Sequence, residues 1–431
     1  MSVPLRSRWR GHPVVDRSAW TLADQAASSG SNFVLALSIL ATADLGEFAA
    51  FSVAVTGYLL VTQLTRSALS LPVLILYSDD HDYSDDGDGA AARSGPAVAA
   101  CVVTGVVGAL VFVGAAVGFE RGRTLFLVLA AALPLLQYQD AVRHVAFAAA
   151  RPKVAASSDL LWVGVQIGAS LVAAAAGRAT PTVLLSIWAV AGSVSGVLFG
   201  ARLGAVPRFS AARRWLADNS RLCIRVGTEF LLNSGSYYAL SYGLVAVAGA
   251  DQLGRWRAAQ TLIGPVSVLL LGGTTLGVPE SVRVRESRAR LRRVAVLLSA
   301  GLAAVAVAGG LVAYAILPAI GPTLFADTWE TARPVLPVLT VFAGAVGAST
   351  GAVAALRARG LAGWIVRSRA VSGAVGLVVG LALAAGSGAT GALAGLALSE
   401  AGFALAAWLQ LRRTLATAPV GVEARPAARG G

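Results

Sequence analysis

Long runs of apolar residues, interrupted by short polar or basic segments, form the main pattern of the chain. Runs of about 18 or more apolar residues are long enough to cross a bilayer as α-helices. The pattern therefore predicts an all-α integral membrane protein with about twelve transmembrane helices. The eleventh predicted span is short unless the residues before it, Trp364–Ala370, belong to it. The predicted spans are Leu22–Thr42, Phe48–Tyr77, Gly95–Phe119, Leu125–Ala150, Leu160–Ala176, Thr182–Gly204, Ile224–Ala248, Trp256–Val278, Val294–Leu317, Val335–Leu356, Val371–Ala385 and Thr390–Gln410.

Composition and charge support a membrane protein and orient it. Of the 431 residues, 56% are hydrophobic and 13% are charged, whereas soluble domains carry about 25% charged residues. With the N-terminus in the cytoplasm, 27 of the 35 Lys and Arg residues fall in cytoplasmic segments and 6 in outer loops. This bias predicts a multi-pass protein of the cytoplasmic membrane with both termini cytoplasmic. The net charge of +13 then reflects basic loops at an anionic inner leaflet, and no nucleic-acid partner is expected.

An internal repeat divides the spans into two sets. When the chain is shifted by 208 residues, Gly46 aligns with Gly254 and Arg151 aligns with Arg359. A constant shift across distant segments indicates two six-helix halves, and an even number of spans makes them parallel repeats. The predicted organisation is a cytoplasmic basic head (1–19), an N-terminal six-helix half (20–206), a cytoplasmic linker (207–222), a C-terminal six-helix half (223–411) and a cytoplasmic tail (412–431).

Short motifs in the N-terminal half resemble those of a known family. They are Asp24-Gln25 followed by Asn32-Phe33, the tight turn Ala43–Glu47 and the sequence Leu45–Phe48, the segment Thr65–Pro72, and Gln139-Asp140-x-x-Arg143 before Ala150–Pro152. Together they resemble bacterial polysaccharide-biosynthesis membrane proteins. These are flippases for lipid-linked oligosaccharides in the multidrug/oligosaccharidyl-lipid/polysaccharide exporter (MOP) superfamily, related to the MATE drug exporters.

The resemblance implies a V-shaped, MATE-like transporter that works by alternating access. Its substrate would be a polyprenyl-diphosphate-linked oligosaccharide that is moved across the cytoplasmic membrane for polysaccharide export. A cation-coupled multidrug exporter of the same fold and a membrane glycosyltransferase or polymerase remain alternatives. The acidic segment 78–89 departs from what the family leads us to expect, and its role is not predicted. No catalytic constellation, metal site or cofactor is predicted, so the chain is not expected to be an enzyme.

Charges inside the spans are the candidate site residues, because a charge within a bilayer is costly and commonly functional. Arg66 lies about 27 Å along the second span from Phe48, at 1.5 Å per residue. Asp140, Arg143 and His144 share one face of the fourth span. Arginine offers a fork of donors that suits phosphate oxygens, so Arg66 and Arg143 are expected to bind the diphosphate, with Asp140 orienting Arg143. Snorkelling arginines or a structural Asp140–Arg143 pair would explain the same pattern.

The remaining candidates are assigned by position. Asp24, Gln25 and Asn32 complete the expected substrate-binding set at the start of the first span. Glu229, Glu400 and His144 are candidate coupling residues for a proton or sodium ion, although a hydrogen bond to a neighbouring helix would equally explain Glu400. The 208-residue shift places apolar or small residues opposite the charges of the fourth span, so the charge is expected on one half only.

Overall fold

The computed structural model describes residues 13–77, 88–325 and 328–417. Those residues form helices joined by short connections, and no β-strand occurs among them. The helices are α1 (Pro13–Thr42), α2 (Leu45–Thr65), a π-helical turn (Arg66–Ser70), α3 (Leu71–Tyr77), α4 (Asp88–Gly118), a 3₁₀ turn (Glu120–Gly122), α5 (Arg123–Ala148), α6 (Pro152–Ala175), α7 (Pro181–Leu203), α8 (Phe209–Ala248), α9 (Ala250–Leu262), α10 (Gly264–Arg283), α11 (Arg288–Phe325), α12 (Thr328–Ala332), α13 (Leu336–Ala358) and α14 (Ala362–Thr417).

The all-helical membrane fold predicted from the sequence is confirmed. Within the described ranges, eight helices are long and apolar enough to cross a membrane. The last two predicted spans lie in α14, which bends sharply at Gly388, where φ is 55°. Of the acidic segment 78–89, residues 78–87 lie outside the described ranges, and the last two residues begin α4.

Two predicted boundaries fall well inside the observed helices. α6 begins at Pro152, eight residues before the predicted start of the fifth span at Leu160. Proline suits the first turn of a helix, where its missing N–H has no partner to lose. α14 begins at Ala362, so the residues before the predicted eleventh span are helical. Arg255 and Arg257, counted with the outer loops in the sequence, also lie within a helix, α9.

The turn between the first two spans is built by a capping box. Asp44 accepts a hydrogen bond from the Glu47 backbone N–H at 2.7 Å, and the Asp44 backbone N–H donates to Glu47 Oε2 at 3.2 Å. This reciprocal pair satisfies two backbone donors that the start of a helix leaves free. It fixes the start of α2, whose first turns are buried.

A π-helical turn interrupts the second span at Arg66–Ser70. The Leu71 N–H donates to the carbonyl of Arg66, one residue further back than in an α-helix. Pro72 follows directly. Proline has no backbone N–H to donate, and its ring crowds the preceding turn. The widened turn accommodates the proline while the helical path continues to Tyr77. Turns of this kind are frequent at functional sites, and this one carries Arg66.

Two helices that the predicted 208-residue repeat makes equivalent pack against each other. α2 packs against α9, and a Cβ atom added at Gly254 would lie 3.0 Å from Cα of Ala49. Small residues allow such close approach of helix backbones. The Arg257 Nη2 group donates to Thr56 Oγ1 at 2.8 Å across the same contact. α8 contacts both sets of helices: Trp215 Nε1 donates to Tyr77 Oη on α3 at 3.0 Å, and the later part of α8 packs on α14 and, through Tyr242, on α2.

Candidate functional site

Arg143 lies at the centre of a buried charge network in the N-terminal half. Its side chain is 8% exposed. Nη2 donates to Asp24 Oδ2 at 2.6 Å and Nε donates to Asp24 Oδ1 at 3.3 Å, so α5 is tied to α1 by a bidentate pair. Asp159 on α6 approaches Nε to 3.1 Å through its Oδ2 atom. Paired guanidinium and carboxylate groups of this kind offset part of the cost of taking charges out of water.

Arg66 forms the more accessible edge of the same network. Its Nη2 atom lies 2.5 Å from Asp140 Oδ1, and its Nη1 group donates to Gln63 Oε1 at 3.0 Å. The Arg66 side chain is 30% exposed, while Asp140 is 4% exposed. Arg143 reaches Asp140 only at 3.7 Å, through Nη1. Asp140 is therefore primarily the partner of Arg66, and Arg66 is the guanidinium of this network that a ligand can approach.

His144 extends the network along α5. Its Nδ1 atom lies 2.8 Å from the backbone oxygen of Asp140 and 3.6 Å from the carboxylate Oδ2. The contact with the backbone carbonyl places a proton on Nδ1, because a carbonyl oxygen only accepts. The ring is thereby held beside the Asp140 carboxylate.

The network contains one more carboxylate than guanidinium. Asp24, Asp140 and Asp159 face Arg66 and Arg143, which gives a net charge of −1 when the aspartates are ionised and His144 is neutral. Asp159 Oδ1 accepts a hydrogen bond from Gln139 at 2.8 Å. Asp159 Oδ2 has no hydrogen bond with any described residue, since the nearby Nε of Arg143 donates to Asp24. One negative charge of the network is therefore not balanced by a guanidinium.

A polar path continues from the network between α1, α6 and α7. Ser31 donates to Gln166 Oε1 at 2.7 Å, and Trp188 Nε1 donates to Ser31 Oγ at 3.1 Å. Ser31 and Gln166 each lie seven residues, or two helical turns, beyond an aspartate of the network. The buried polar groups are therefore aligned along the two helices.

The other predicted residues lie outside this network. Gln25 and Asn32 are exposed, and each donates to its own helix, to Ser29 Oγ at 3.2 Å and to the Ser28 carbonyl at 3.1 Å. Glu229 is exposed on α8 and makes no ion pair with a described residue. The structure thus brings together Asp24, Arg66, Asp140, Arg143 and His144, and separates Gln25, Asn32 and Glu229 from them.

Glu400 belongs to a separate cluster in the C-terminal half. It is 6% exposed, forms an ion pair with Arg369, and accepts a hydrogen bond from Ser349 Oγ at 3.0 Å. The pair connects the two parts of α14 on either side of its bend and ties them to α13. Glu400 therefore has a hydrogen bond to a neighbouring helix, from Ser349 on α13, and an arginine partner in the first part of α14.

Two residues of these clusters were missed by the sequence analysis. Asp159 is the one acidic residue of the apolar stretch 152–176, but the predicted span began one residue later. Arg369 was assigned to a cytoplasmic loop, because the eleventh span was predicted to begin at Val371. A signal for Asp159 existed in the repeated spacing of an acid followed by Ser or Gln seven residues later in α1 and α6.

No family model matches the chain, and no curated protein matches it. Several solved structures are similar over nearly the whole chain. A MATE protein in the bent conformation has 16% identity, covering 95% of this chain and 96% of its own, with a TM-score of 0.56. The inward-facing conformation of a multidrug resistance MATE family transporter of the MOP superfamily has 14% identity, covering 93% and 94%, with a TM-score of 0.55.

A third similar structure is described differently. It is a MOP superfamily transporter from Pyrococcus furiosus whose binding pocket has reversed polarity, suggesting a different function. It has 14% identity, covers 95% of this chain and 97% of its own, and has a TM-score of 0.52. Identities this low establish the fold and leave the substrate open. By its fold, this multi-pass membrane chain is similar to MATE transporters of the MOP superfamily.

Proposed function

We propose that the chain is an alternating-access transporter that moves a polyprenyl-diphosphate-linked oligosaccharide across the cytoplasmic membrane for polysaccharide export. The observation that carries the proposal is the unequal exposure of opposite charges in the N-terminal network. Asp24, Asp140 and Asp159 are at most 4% exposed, whereas Arg66 is 30% exposed. A ligand that approaches this network meets a guanidinium first, which favours an anionic headgroup.

Arg66 would contact the diphosphate directly. A guanidinium has five N–H donors. Three of those of Arg66 already donate within the network: the Nε–H, one N–H of Nη1 and one N–H of Nη2. The remaining donors suit phosphate oxygens, which arginine binds in a fork geometry. Asp140 would orient the group and keep the anion from binding too tightly for release.

Arg143 would have a supporting role in this proposal. Its guanidinium is buried and already shared between Asp24 and Asp159, so direct contact with a headgroup would require those pairs to open. We assign it to holding α1, α5 and α6 together around the surplus carboxylate. That carboxylate is the candidate position for a coupling proton or sodium ion, and His144 is a second candidate, beside Asp140.

A cation-coupled multidrug exporter is the second candidate. The surplus of carboxylates over guanidiniums in the network favours it, and one similar structure is described as a multidrug resistance transporter. An exporter of cationic drugs needs accessible acids, however, and the acids of this network are buried. The structures similar to this chain are transporters, which weighs against a glycosyltransferase or polymerase.

The proposal is tested with the full chain reconstituted in vesicles. A fluorescent short-chain polyprenyl-diphosphate-linked sugar is loaded, and its arrival in the opposite leaflet is followed with a membrane-impermeant quencher. We expect Arg66→Gln to reduce transport at least tenfold and Arg66→Lys to reduce it less, because lysine keeps the charge but loses the fork. Arg290→Gln, at an exposed position on α11, serves as the matched control.

A parallel assay separates the two candidates. The same vesicles are loaded with a cationic dye, and its export is followed under an imposed cation gradient. Transport of the dye without transport of the lipid-linked sugar would establish the multidrug exporter instead. Lipid transport that is unchanged in Arg66→Gln would remove the role assigned to Arg66.

A further inference from the structure

A cavity of about 260 Å³ lies inside the C-terminal half, between α8, α10, α13 and the first part of α14. Its polar lining is formed by Asn233, Ser349, Thr350, Arg357 and Arg369, and the rest is aliphatic. No Asp or Glu is found among the described residues of this lining. Pockets for drug-sized ligands have volumes of about 300–1,000 Å³. The cavity is therefore sized for one small group, and its lining favours an anion.

Arg369 is held in place at the wall of this cavity. Its guanidinium carbon lies 3.7 Å from the centroid of the Phe403 ring, a cation–π contact that fixes the plane of the group. Nη1 donates to Glu400. Nε and Nη2 make no hydrogen bond with any residue in the described ranges, so they keep donors for a ligand. The arginine is oriented and only partly neutralised.

Arg357 supplies a second cation at the end of α13. It is exposed, and its side chain has neither an ion pair nor a hydrogen bond within the part of the chain that the structure describes. The Asn233 side chain, on α8, is also exposed and makes no hydrogen bond with a described residue. Three groups with available N–H donors therefore converge on one cavity from three helices, which neither the buried ion pair of Glu400 nor helix packing requires.

We propose that this cavity binds a phosphate or diphosphate group through Arg357 and Arg369, with the Asn233 amide as a third donor. Guanidinium groups bind phosphate oxygens in pairs of parallel hydrogen bonds, and they do so more strongly away from water. The inference deepens the proposed function and rests on it for the identity of the physiological ligand. It would give the C-terminal half its own contact with the anionic headgroup that Arg66 meets in the N-terminal half.

Binding to the purified full chain tests the site without requiring transport. Inorganic diphosphate and farnesyl diphosphate, which carries a short prenyl chain, are each titrated calorimetrically. We expect the wild type to bind and Arg357→Gln to weaken binding about tenfold or more, the range for a lost charge-assisted hydrogen bond. Arg367→Gln is the matched control, because this exposed arginine lies two residues from Arg369 but outside the cavity. It should change binding less than about twofold.

A double variant tests the role of Arg369 without leaving an unpaired buried charge. Arg369→Gln alone would leave Glu400 buried without its partner, so it is combined with Glu400→Gln. The double variant should keep the wild-type melting temperature and lose binding to the same extent as Arg357→Gln. Wild-type affinity in both Arg357→Gln and the double variant, or no binding of either probe by the wild type, would overturn the site.

The two probes also distinguish the source of the ligand. Equal affinity for both indicates a site for a free anion, and tighter binding of farnesyl diphosphate indicates a lipid headgroup; either result supports an anion site when it depends on Arg357. Failure of the proposed function looks different. If the wild type binds diphosphate through Arg357 but does not flip the lipid-linked sugar in vesicles, the anion site stands and the proposed function fails. If the wild type flips the lipid and Arg357→Gln binds diphosphate as the wild type does, the proposed function stands and only the anion site fails.

Discussion

Replacing each network arginine by glutamine should separate support of the fold from contact with the substrate. Arg143→Gln removes the cation that Asp24 and Asp159 share, and these aspartates are 2% and 1% exposed. Breaking a buried pair by removing one partner costs about 3–5 kcal/mol. Because Arg143 pairs with two buried carboxylates, we expect Arg143→Gln to lower the free energy of unfolding by about 5 kcal/mol, the upper end of this range.

Arg66→Gln should have a much smaller effect on stability. The Arg66 side chain is 30% exposed, and Asp140 keeps Arg143 and His144 nearby after the substitution. Because Asp140 is not left without a nearby cation, a loss of roughly 1 kcal/mol is expected. Transport, in contrast, should fall in Arg66→Gln even where the protein remains folded.

The measurement is thermal unfolding of the detergent-purified chain, followed by a thiol-reactive dye. Cys101 and Cys223 are free and buried, so both become reactive when the helices separate. Arg143→Gln should lower the midpoint several times more than Arg66→Gln does. Adding Asp24→Asn and Asp159→Asn should restore most of the loss, because the carboxylates would no longer be charged. Equal midpoints for the two single variants, or no recovery in the triple variant, would refute this division of roles.

Two further predictions concern helix geometry around the network. Pro72→Ala should let the π-helical turn relax to an α-helix. This change would rotate Arg66 by about one residue, or 100°, relative to α3. We expect the variant to lose transport and to keep the thermal stability of the wild type, with both measured on the same preparations. Gly196→Ala should lower the midpoint by separating α7 from α5, because the added methyl would lie 2.9 Å from the Gln139 Cα atom and overpacking costs about 1–3 kcal/mol. An intact midpoint in that variant would contradict the packing argument.

The sequence was sufficient to predict the fold because hydrophobic length is a strong and local signal. It also located the charged residues of α5, since charges within an apolar helix stand out. Helix starts were less predictable, because the polar first turns of α6 and α14 resemble loops. Asp159 and Arg369 lie in those first turns, so the same boundary problem concealed one residue of each charged cluster.

The pairing of charges could not be obtained from sequence spacing. Asp140 and Arg143 are three residues apart on one helix, which favours a direct pair. In the structure Arg66 approaches Asp140 to 2.5 Å from the π-helical turn, while Arg143 lies 3.7 Å away and turns toward Asp24. Contacts between helices decide the partner, and nothing in the sequence of α5 encodes which neighbouring helix lies nearer.

The difference between the two halves has a structural cause in helix packing. The 208-residue shift places Arg143 opposite Gly351, whose N–H donates to Ser299 Oγ at 3.0 Å. A Cβ atom at Gly351 would lie 2.0 Å from the Ala295 carbonyl oxygen, so α13 and α11 are in backbone contact where α5 carries a guanidinium. A buried charge network cannot form at this position of the C-terminal half. Its charge pair forms instead within α14, next to the cavity, so positions that the predicted repeat makes equivalent carry different charges.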